Sequence, residues 1–388
     1  MRILYVNPYY KPYLGGIERI IEQAGTRLLT RPEVDAVGVL TTRAQYPDRW
    51  MPALPSRERM DGIEVYRCRF IPSRIPRVLH AALAGYISPQ VASVVSHFKP
   101  SVIHFMYGEW WGANLTIYLS TLHHPHVLST FFHNIPHIRS TAPLYWVNRR
   151  LIPRMDAIHT LTDMERLQVH EAYRARLERT VVIPPGVDVD AEAPQHPQRD
   201  VTTILAVGRL NPDKGQFELV RMFARLRAEP GMPPLRLWLA GDESDMGQRV
   251  RELCRREGLE GVHLFGRVSD KELVKLYRQA DIFALPTRVE SFGLVFVEAM
   301  AQGVPVVTYG VGPVPSILTR GAIVVPPGDE DAFRAALAGL IRDPERRREM
   351  GCDGYRLAAE RYSWSSMADR LLTVYTDVIQ SQRPMRLA

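Results

Sequence analysis

Two carboxylates, Glu290 and Glu298, stand with seven residues between them in VESFGLVFVEAM, residues 289–300. Their neighbours suggest a ligand site at a helix start. Ser291 can cap a helix opening near Gly293, because a serine side chain satisfies an orphan backbone amide. Gly293 has no Cβ and lets a ligand approach the main chain closely. The amides at such a start carry partial positive charge and suit a phosphate. Glu298 falls about one and a half turns into that helix, on an otherwise apolar run. It therefore needs a hydrogen-bonding partner, a part that ribose hydroxyls can fill. Glu290, ahead of the cap, can accept hydrogen bonds from other hydroxyls. On spacing alone, a capped helix with one solvated glutamate at each end accounts for the pattern equally well.

A second stretch, VGRLNPDKGQFELV (207–220), runs from a strand through a turn into a helix opening at Pro212–Gly215, with Arg209 and Lys214 flanking the turn. Two cations at the C-terminal end of a parallel strand, beside a helix start, can clamp a diphosphate. Two solvated basic residues on a loop are an equal alternative from composition. In a third stretch, YYKPYLGGIERI (9–20), Gly15 and Gly16 lie between a strand and a helix, where backbone amides can meet a phosphate. A Gly-Gly pair is more often simply a turn.

These stretches need a scaffold. The chain has 388 residues, enough for two domains of ordinary size. Apolar residues make up 46% and charged residues 23%, as in a soluble globular protein, and no apolar run is long enough to span a membrane. The N-terminus turns polar too soon for a signal peptide. Cys68, Cys254 and Cys352 are far apart, with neither metal-ligand spacing nor a disulfide framework, which points to a reducing cytoplasm. The net charge of +7 suits anionic partners, or only solubility. Strands at 2–8, 36–41, 63–66, 102–106, 126–130, 157–161 and 180–183 alternate with helical stretches such as 17–29. A proline- and acid-rich segment, 186–200, reads as a linker. The alternation then restarts, with strands at 202–207, 235–240, 262–265, 281–285, 304–308 and 322–325, and helices at 215–228, 246–257, 270–278, 293–302 and 330–343. A helical region from about 364 closes the chain. The expectation is α/β: two doubly wound parallel-sheet halves, with a cleft between them as the natural ligand site.

ESFGLVFVEAMA, GRL-x-P-x-K-G, LAGDES, LFGRVSDKEL, YRQADIFALPTRVESFG, AQGVPVV and AIVVPPGD follow one another in the order of family 4 retaining glycosyltransferases, which this chain resembles. The resemblance is densest over 202–330. In the first half it rests on the Gly-Gly loop, on VIPPGVD (182–188) and on FFHN around His133. It implies the GT-B fold, two Rossmann-like domains facing across a cleft. These are an acceptor-binding domain at 1–185, a linker at 186–200 and a nucleotide-sugar domain at 201–364. RYSWSSMADR (361–370) resembles the crossover, after which a last helix, about 365–388, returns to the first domain. By position, Arg209 and Lys214 would grip the diphosphate and Glu298 the ribose. Glu290 would touch the sugar's hydroxyls, and Phe292, Gly293 and Leu294 would offer amides. Gly15 and Gly16 would close the other side, His133 would approach the donor sugar, and Arg267 and Val268 would line the base. Fixed cations and amides aimed at a departing nucleoside diphosphate stabilise the charge that develops there. His133, Glu290, Arg209 and Lys214 are the catalytic candidates. The implied activity moves a hexose, mannose or glucose first, from a nucleoside-diphosphate sugar to a glycan, lipid-linked or small-molecule acceptor. No metal or other cofactor and no nucleic acid partner is expected.

The chain departs from the family at VGPVPSIL (311–318), where Ser316 stands in place of an acid, and at Pro185, where a polar residue is common. DVD (188–190) is read as linker acids rather than a metal site, and HHPH (123–126) with His137 as satisfied or surface histidines rather than zinc ligands. GVGPVP (310–315) lacks the last glycine of a dinucleotide fingerprint, and no acid follows at the expected distance. Arginines mixed with apolar residues at 69–87, and again at 147–154, suit peripheral contact with an anionic inner membrane face, or an ordinary loop and core helix. A sugar-nucleotide epimerase and a non-catalytic sugar-nucleotide or polyanion binder remain as alternatives.

Overall fold

The computed structural model describes residues 1–12, 16–45, 49–51, 53–68, 89–106, 117–118, 121–131, 142–190, 192, 194, 199–242 and 245–381. Gly15, His133, His137 and the stretch 69–87 lie outside the described residues. The chain divides into two compact units, one made of residues up to Gly186 together with those from Trp364 onward, the other of Val187–Ser363.

In the first unit the strands are β1 (Arg2–Val6), β2 (Ala36–Thr42), β5 (Arg57–Met60), β6 (Ile63–Cys68), β7 (Val102–Phe105), β8 (His126–Ser129), β9 (Ala157–Thr160) and β10 (Thr180–Val182), with a small separate pair, β3 (Ala44–Gln45) and β4 (Arg49–Trp50). The sheet order is β10-β9-β8-β7-β1-β2-β6-β5. All its neighbours are parallel except the hairpin β5–β6. Short runs such as RILYV and AVGVLTT are buried along nearly their whole length, as strands covered on both faces must be. The charged edge strand RERM, not foreseen from sequence, alternates exposed and half-buried residues and so blunts the open edge. Helices α1 (Gly16–Leu28), α2 (Ala142–Leu151) and α3 (Asp163–Tyr173) belong to this unit.

The second unit contains β11 (Thr202–Val207), β12 (Leu235–Ala240), β13 (Val262–Gly266), β14 (Ile282–Leu285), β15 (Val306–Tyr309) and β16 (Ala322–Val325). Its helices are α4 (Gln216–Arg227), α5 (Asp245–Arg256), α6 (Asp270–Gln279), α7 (Leu294–Ala301), α8 (Val314–Ile317), α9 (Glu330–Arg342) and α10 (Pro344–Arg361). The parallel sheet order β13-β12-β11-β14-β15-β16 is that of a doubly wound dinucleotide-type fold. The order reverses between β11 and β14, and such a switch point is where ligands lodge in these sheets. Helix α10 was not foreseen. Its sequence is interrupted by Gly351 and Gly354, and a Cβ on Gly351 would sit 2.1 Å from the carbonyl oxygen of Gly303. The glycines weaken the helical pattern and permit the close packing that makes the helix worthwhile.

The last helix, α11 (Trp364–Ser381), buries Trp364, Leu371, Tyr375 and Val378 in one core cluster with Ile3, Tyr5 and Ile21 of the first unit. From Val187 onward the chain is held by the second unit. Val187 bridges Ser363, the Tyr355 hydroxyl donates to the Asp190 carbonyl at 2.6 Å, and Arg278 pairs with the Asp190 carboxylate. That ion pair accounts for one acid of the DVD stretch.

Candidate functional site

Two loops leave the second unit's sheet side by side at its switch point. The first follows β11. Asn211 caps the short turn Pro212–Lys214 by accepting the Lys214 amide at 3.0 Å, and Gln216 Nε2 donates to the carbonyls of Gly208 and Arg209, both at 3.1 Å. The second loop follows β14. The Arg288 amide donates to the Asp213 carbonyl at 2.7 Å, and the buried Thr287 hydroxyl donates to the same oxygen at 3.2 Å. Gly215 must be a glycine: its φ is +71°, and a Cβ would lie 2.2 Å from the Pro286 carbonyl oxygen. The two loops are thus stitched into one rigid piece.

That stitching brings Lys214 and Glu290, 76 residues apart, into direct contact. Lys214 Nζ pairs with Glu290 Oε1, and the Glu290 side chain is only 7% exposed. Shielding from water makes the pairing specific in direction, since a buried carboxylate needs its cation. Arg209 is exposed and forms no ion pair among the described residues. One cation is therefore fixed by a partner and a second is available at the same end of the sheet.

Helix α7 starts differently from the sequence expectation. Gly293 is its N-cap, in the left-handed region at φ 86° and ψ 53°, and no side chain caps it. Ser291 does not cap this helix. A Cβ at Gly293 would stand 2.4 Å from the Phe296 ring, so the position demands glycine. The first-turn amides are left without a side-chain acceptor, which favours an anion there. Phe292 is buried, with its ring edge-on to Tyr362, while Leu294 is half-buried. Glu298 is half-buried one turn further on. Its Oε2 accepts a hydrogen bond from the Tyr277 hydroxyl at 3.0 Å, a partner the sequence reading missed. The signal was a tyrosine on a buried helix face, because a buried phenol requires an acceptor.

Arg267 and Val268 lie between β13 and α6, Arg267 exposed and Val268 half-buried. The next residue, Ser269, opens α6 with a reciprocal capping box to Glu272. Ser316, standing where the family carries an acid, is exposed and donates its hydroxyl to the Pro313 carbonyl at 2.7 Å, closing a local turn. Gly16 opens α1 in the first unit. Among the described residues no group of three histidine, cysteine or acidic side chains could hold a metal ion, and no helix is long and apolar enough to cross a membrane.

Comparison with known proteins agrees with this fold. Family models match nearly the whole chain: "Glycosyl transferase 4-like domain" over residues 15–186 and "Glycosyl transferases group 1" over residues 188–357. The chain is 28% identical to the D-inositol 3-phosphate glycosyltransferase of Kineococcus radiotolerans, covering 96% of this chain and 92% of that protein. It is 32% identical to the protein of the same name from Segniliparus rotundus, over 61% of this chain and 56% of that one. Among solved structures, the sucrose-phosphate synthase of Thermosynechococcus elongatus matches 98% of this chain and 99% of its own, with a TM-score of 0.77 at 20% identity. Anabaena Alr3699/HepE in complex with UDP and glucose matches 97% of this chain and 100% of its own, with a TM-score of 0.70 at 20% identity. With two doubly wound parallel-sheet units, both glycosyltransferase family models and this run of relatives, the chain belongs to glycosyltransferase family 4 and has the GT-B fold.

Proposed function

We propose that this glycosyltransferase moves a hexose, with mannose or glucose first in line, from a nucleoside-diphosphate sugar to an acceptor hydroxyl with retention of anomeric configuration. The observation that carries the reading is the Lys214–Glu290 pair beside a helix start with no side-chain cap. Arg209 and Lys214 hold the diphosphate, and the amides of Gly293 and Leu294 add to them. As the bond from sugar to phosphate breaks, negative charge grows on the phosphate oxygens, and fixed cations and amides stabilise it without reorganising. Glu290, already oriented by Lys214, accepts hydrogen bonds from the sugar's hydroxyls. Glu298 holds the ribose, and Arg267 and Val268 line the base. The departing phosphate takes the acceptor's proton, so no protein nucleophile is required. Phe292 completes the donor surroundings in this reading.

The acceptor is a hydroxyl of a glycan, a lipid-linked sugar or a small molecule. D-Inositol 3-phosphate, named in the relatives, is the first acceptor to try. Incubation with uridine, guanosine and adenosine diphosphate sugars tests the reading. Release of nucleoside diphosphate with a glycosylated product supports it. An epimerised donor, or tight binding without turnover, overturns it. The anomeric configuration of the product, read by NMR, decides retention. Contact with an anionic membrane is a further part of the proposal, supported by exposed Arg150 and Arg154 at and beyond the end of α2. Loss of flotation with anionic liposomes at low salt would remove it.

A further inference from the structure

We propose that Tyr277 is a positioning residue for Glu298, setting the angle at which that carboxylate meets the donor's ribose. The inference rests on the reading that Glu298 holds the ribose. Tyr277 is 1% exposed, so no water competes for its hydroxyl. That hydroxyl lies 3.0 Å from Glu298 Oε2 and 3.3 Å from the carbonyl oxygen of Val295, and its single proton is directed to the nearer, carboxylate acceptor. The Tyr277 ring is itself held, its centroid 5.9 Å from that of Phe283, which is fully buried on β14. A phenol locked in this way cannot follow a carboxylate that rotates. It therefore fixes one oxygen of Glu298 and, through it, the plane of the whole group.

The position of Tyr277 in the chain gives this contact a second consequence. Helix α6 begins immediately after Arg267 and Val268, and its first turn is locked by the Ser269–Glu272 capping box. Tyr277 is two turns along the same helix. The segment assigned to the base and the acid assigned to the ribose are thereby joined through one rigid rod. A carboxylate on a half-buried helix face has several rotamers open to it, and selecting one before the ligand arrives reduces the ordering lost on binding.

The test is calorimetric titration of the full chain with uridine, guanosine and adenosine diphosphates and with their 2′,3′-dideoxy counterparts. Wild type is expected to bind the ribonucleotide it prefers roughly tenfold or more tighter than the dideoxy form, as befits hydrogen bonds to a charged group. Glu298→Gln should erase most of that ratio. Tyr277→Phe, which keeps the ring and removes only the hydroxyl, should cut the ratio by about threefold or more while the unliganded melting temperature stays within a few degrees of wild type. A merely structural role would weaken both nucleotides equally and leave the ratio intact. An unchanged ratio in Tyr277→Phe alongside a collapsed one in Glu298→Gln overturns the positioning role and leaves the ribose assignment standing. A full ratio in Glu298→Gln, or no binding of any of the three ribonucleotides, overturns the assignment on which it rests.

Discussion

Both units gather polar side chains at a parallel sheet, but they dispose of them in opposite ways. In the first unit a line of hydrogen bonds crosses the sheet. The Ile183 carbonyl can only accept, so His159 Nε2 donates to it, at 2.7 Å. His159 Nδ1 then accepts from the Ser129 hydroxyl at 2.7 Å, and the Ser129 oxygen accepts from His104 Nε2 at 2.8 Å. His104 Nδ1 accepts from Tyr375 of the last helix at 2.7 Å, and the Tyr375 and Tyr5 hydroxyls stand 3.1 Å apart. Every one of these side chains is fully buried. Burial pushes the His159 ring down to about 4 and His104 well below its ordinary value, and neutral rings are what this donor order requires. In the second unit the polar groups sit beyond the strand ends. Lys214 is partnered by Glu290, while Arg209 is exposed with no ion-pair partner among the described residues. A closed set of partners serves folding, whereas unspent hydrogen-bonding capacity at a switch point serves a ligand.

The contrast is open to direct attack. The largest effect is expected from Lys214→Ala, which should lower transfer by about 10²–10³-fold, the scale on which a donor to developing charge acts. Steady-state kinetics would show it, and a melting curve should show the variant still folded, at a lower midpoint because Glu290 loses its cation. Retained turnover would remove the assignment. Next, His159→Phe leaves the Ser129 hydroxyl and the Ile183 carbonyl buried without their partner, and should cost about 2–4 kcal/mol of stability by urea unfolding. Nucleotide affinity of the folded fraction should be unchanged, because the second unit is not touched.

The pH dependence sharpens the same point. Unfolded chains take up a proton on each ring near the ordinary value of 6.5, whereas folded His159 and His126 resist until about 4. The unfolded state therefore binds more protons in that window. The stability these rings contribute is complete above about 6.5 and falls away as the pH drops toward 4. The urea midpoint followed from pH 7 to pH 4 should decline, and in His159→Phe it should decline less steeply. The smallest effect belongs to Ser291→Ala. With Gly293 as the N-cap of α7 and no side-chain cap there, the loss should stay within about 0.5 kcal/mol. A loss near 1 kcal/mol or more would show that the serine is a cap after all.

Much of the second unit could be read directly from the chain. Its strands are short, largely apolar runs and its helices have clear periodicity, and both depend on neighbours a few residues away. The loop residues Arg209, Lys214, Glu290 and Gly293 announced themselves for the same reason, since each sits at a fixed offset from a strand end. Helix α10 escaped because its glycines hide the pattern. The edge strand β5 escaped because its charged residues carry no apolar alternation. Ser291 misled because a serine just ahead of a helix imitates a cap, whereas Gly293, two residues later and in the left-handed region, is the N-cap.

Two α/β units, the order of their elements and the residue types gathered at the strand ends were legible along the chain, because hydrophobic period and turn chemistry are local properties. Which of those residues meet was settled by the way the sheets and helices pack. The pairing of Lys214 with Glu290, the hydroxyl of Tyr277 on Glu298 and the return of Tyr375 to His104 across 271 residues all depend on strand order and helix packing. A hydrogen bond requires two atoms within about 3 Å. Distance along the chain does not encode that separation until the sheets are wound.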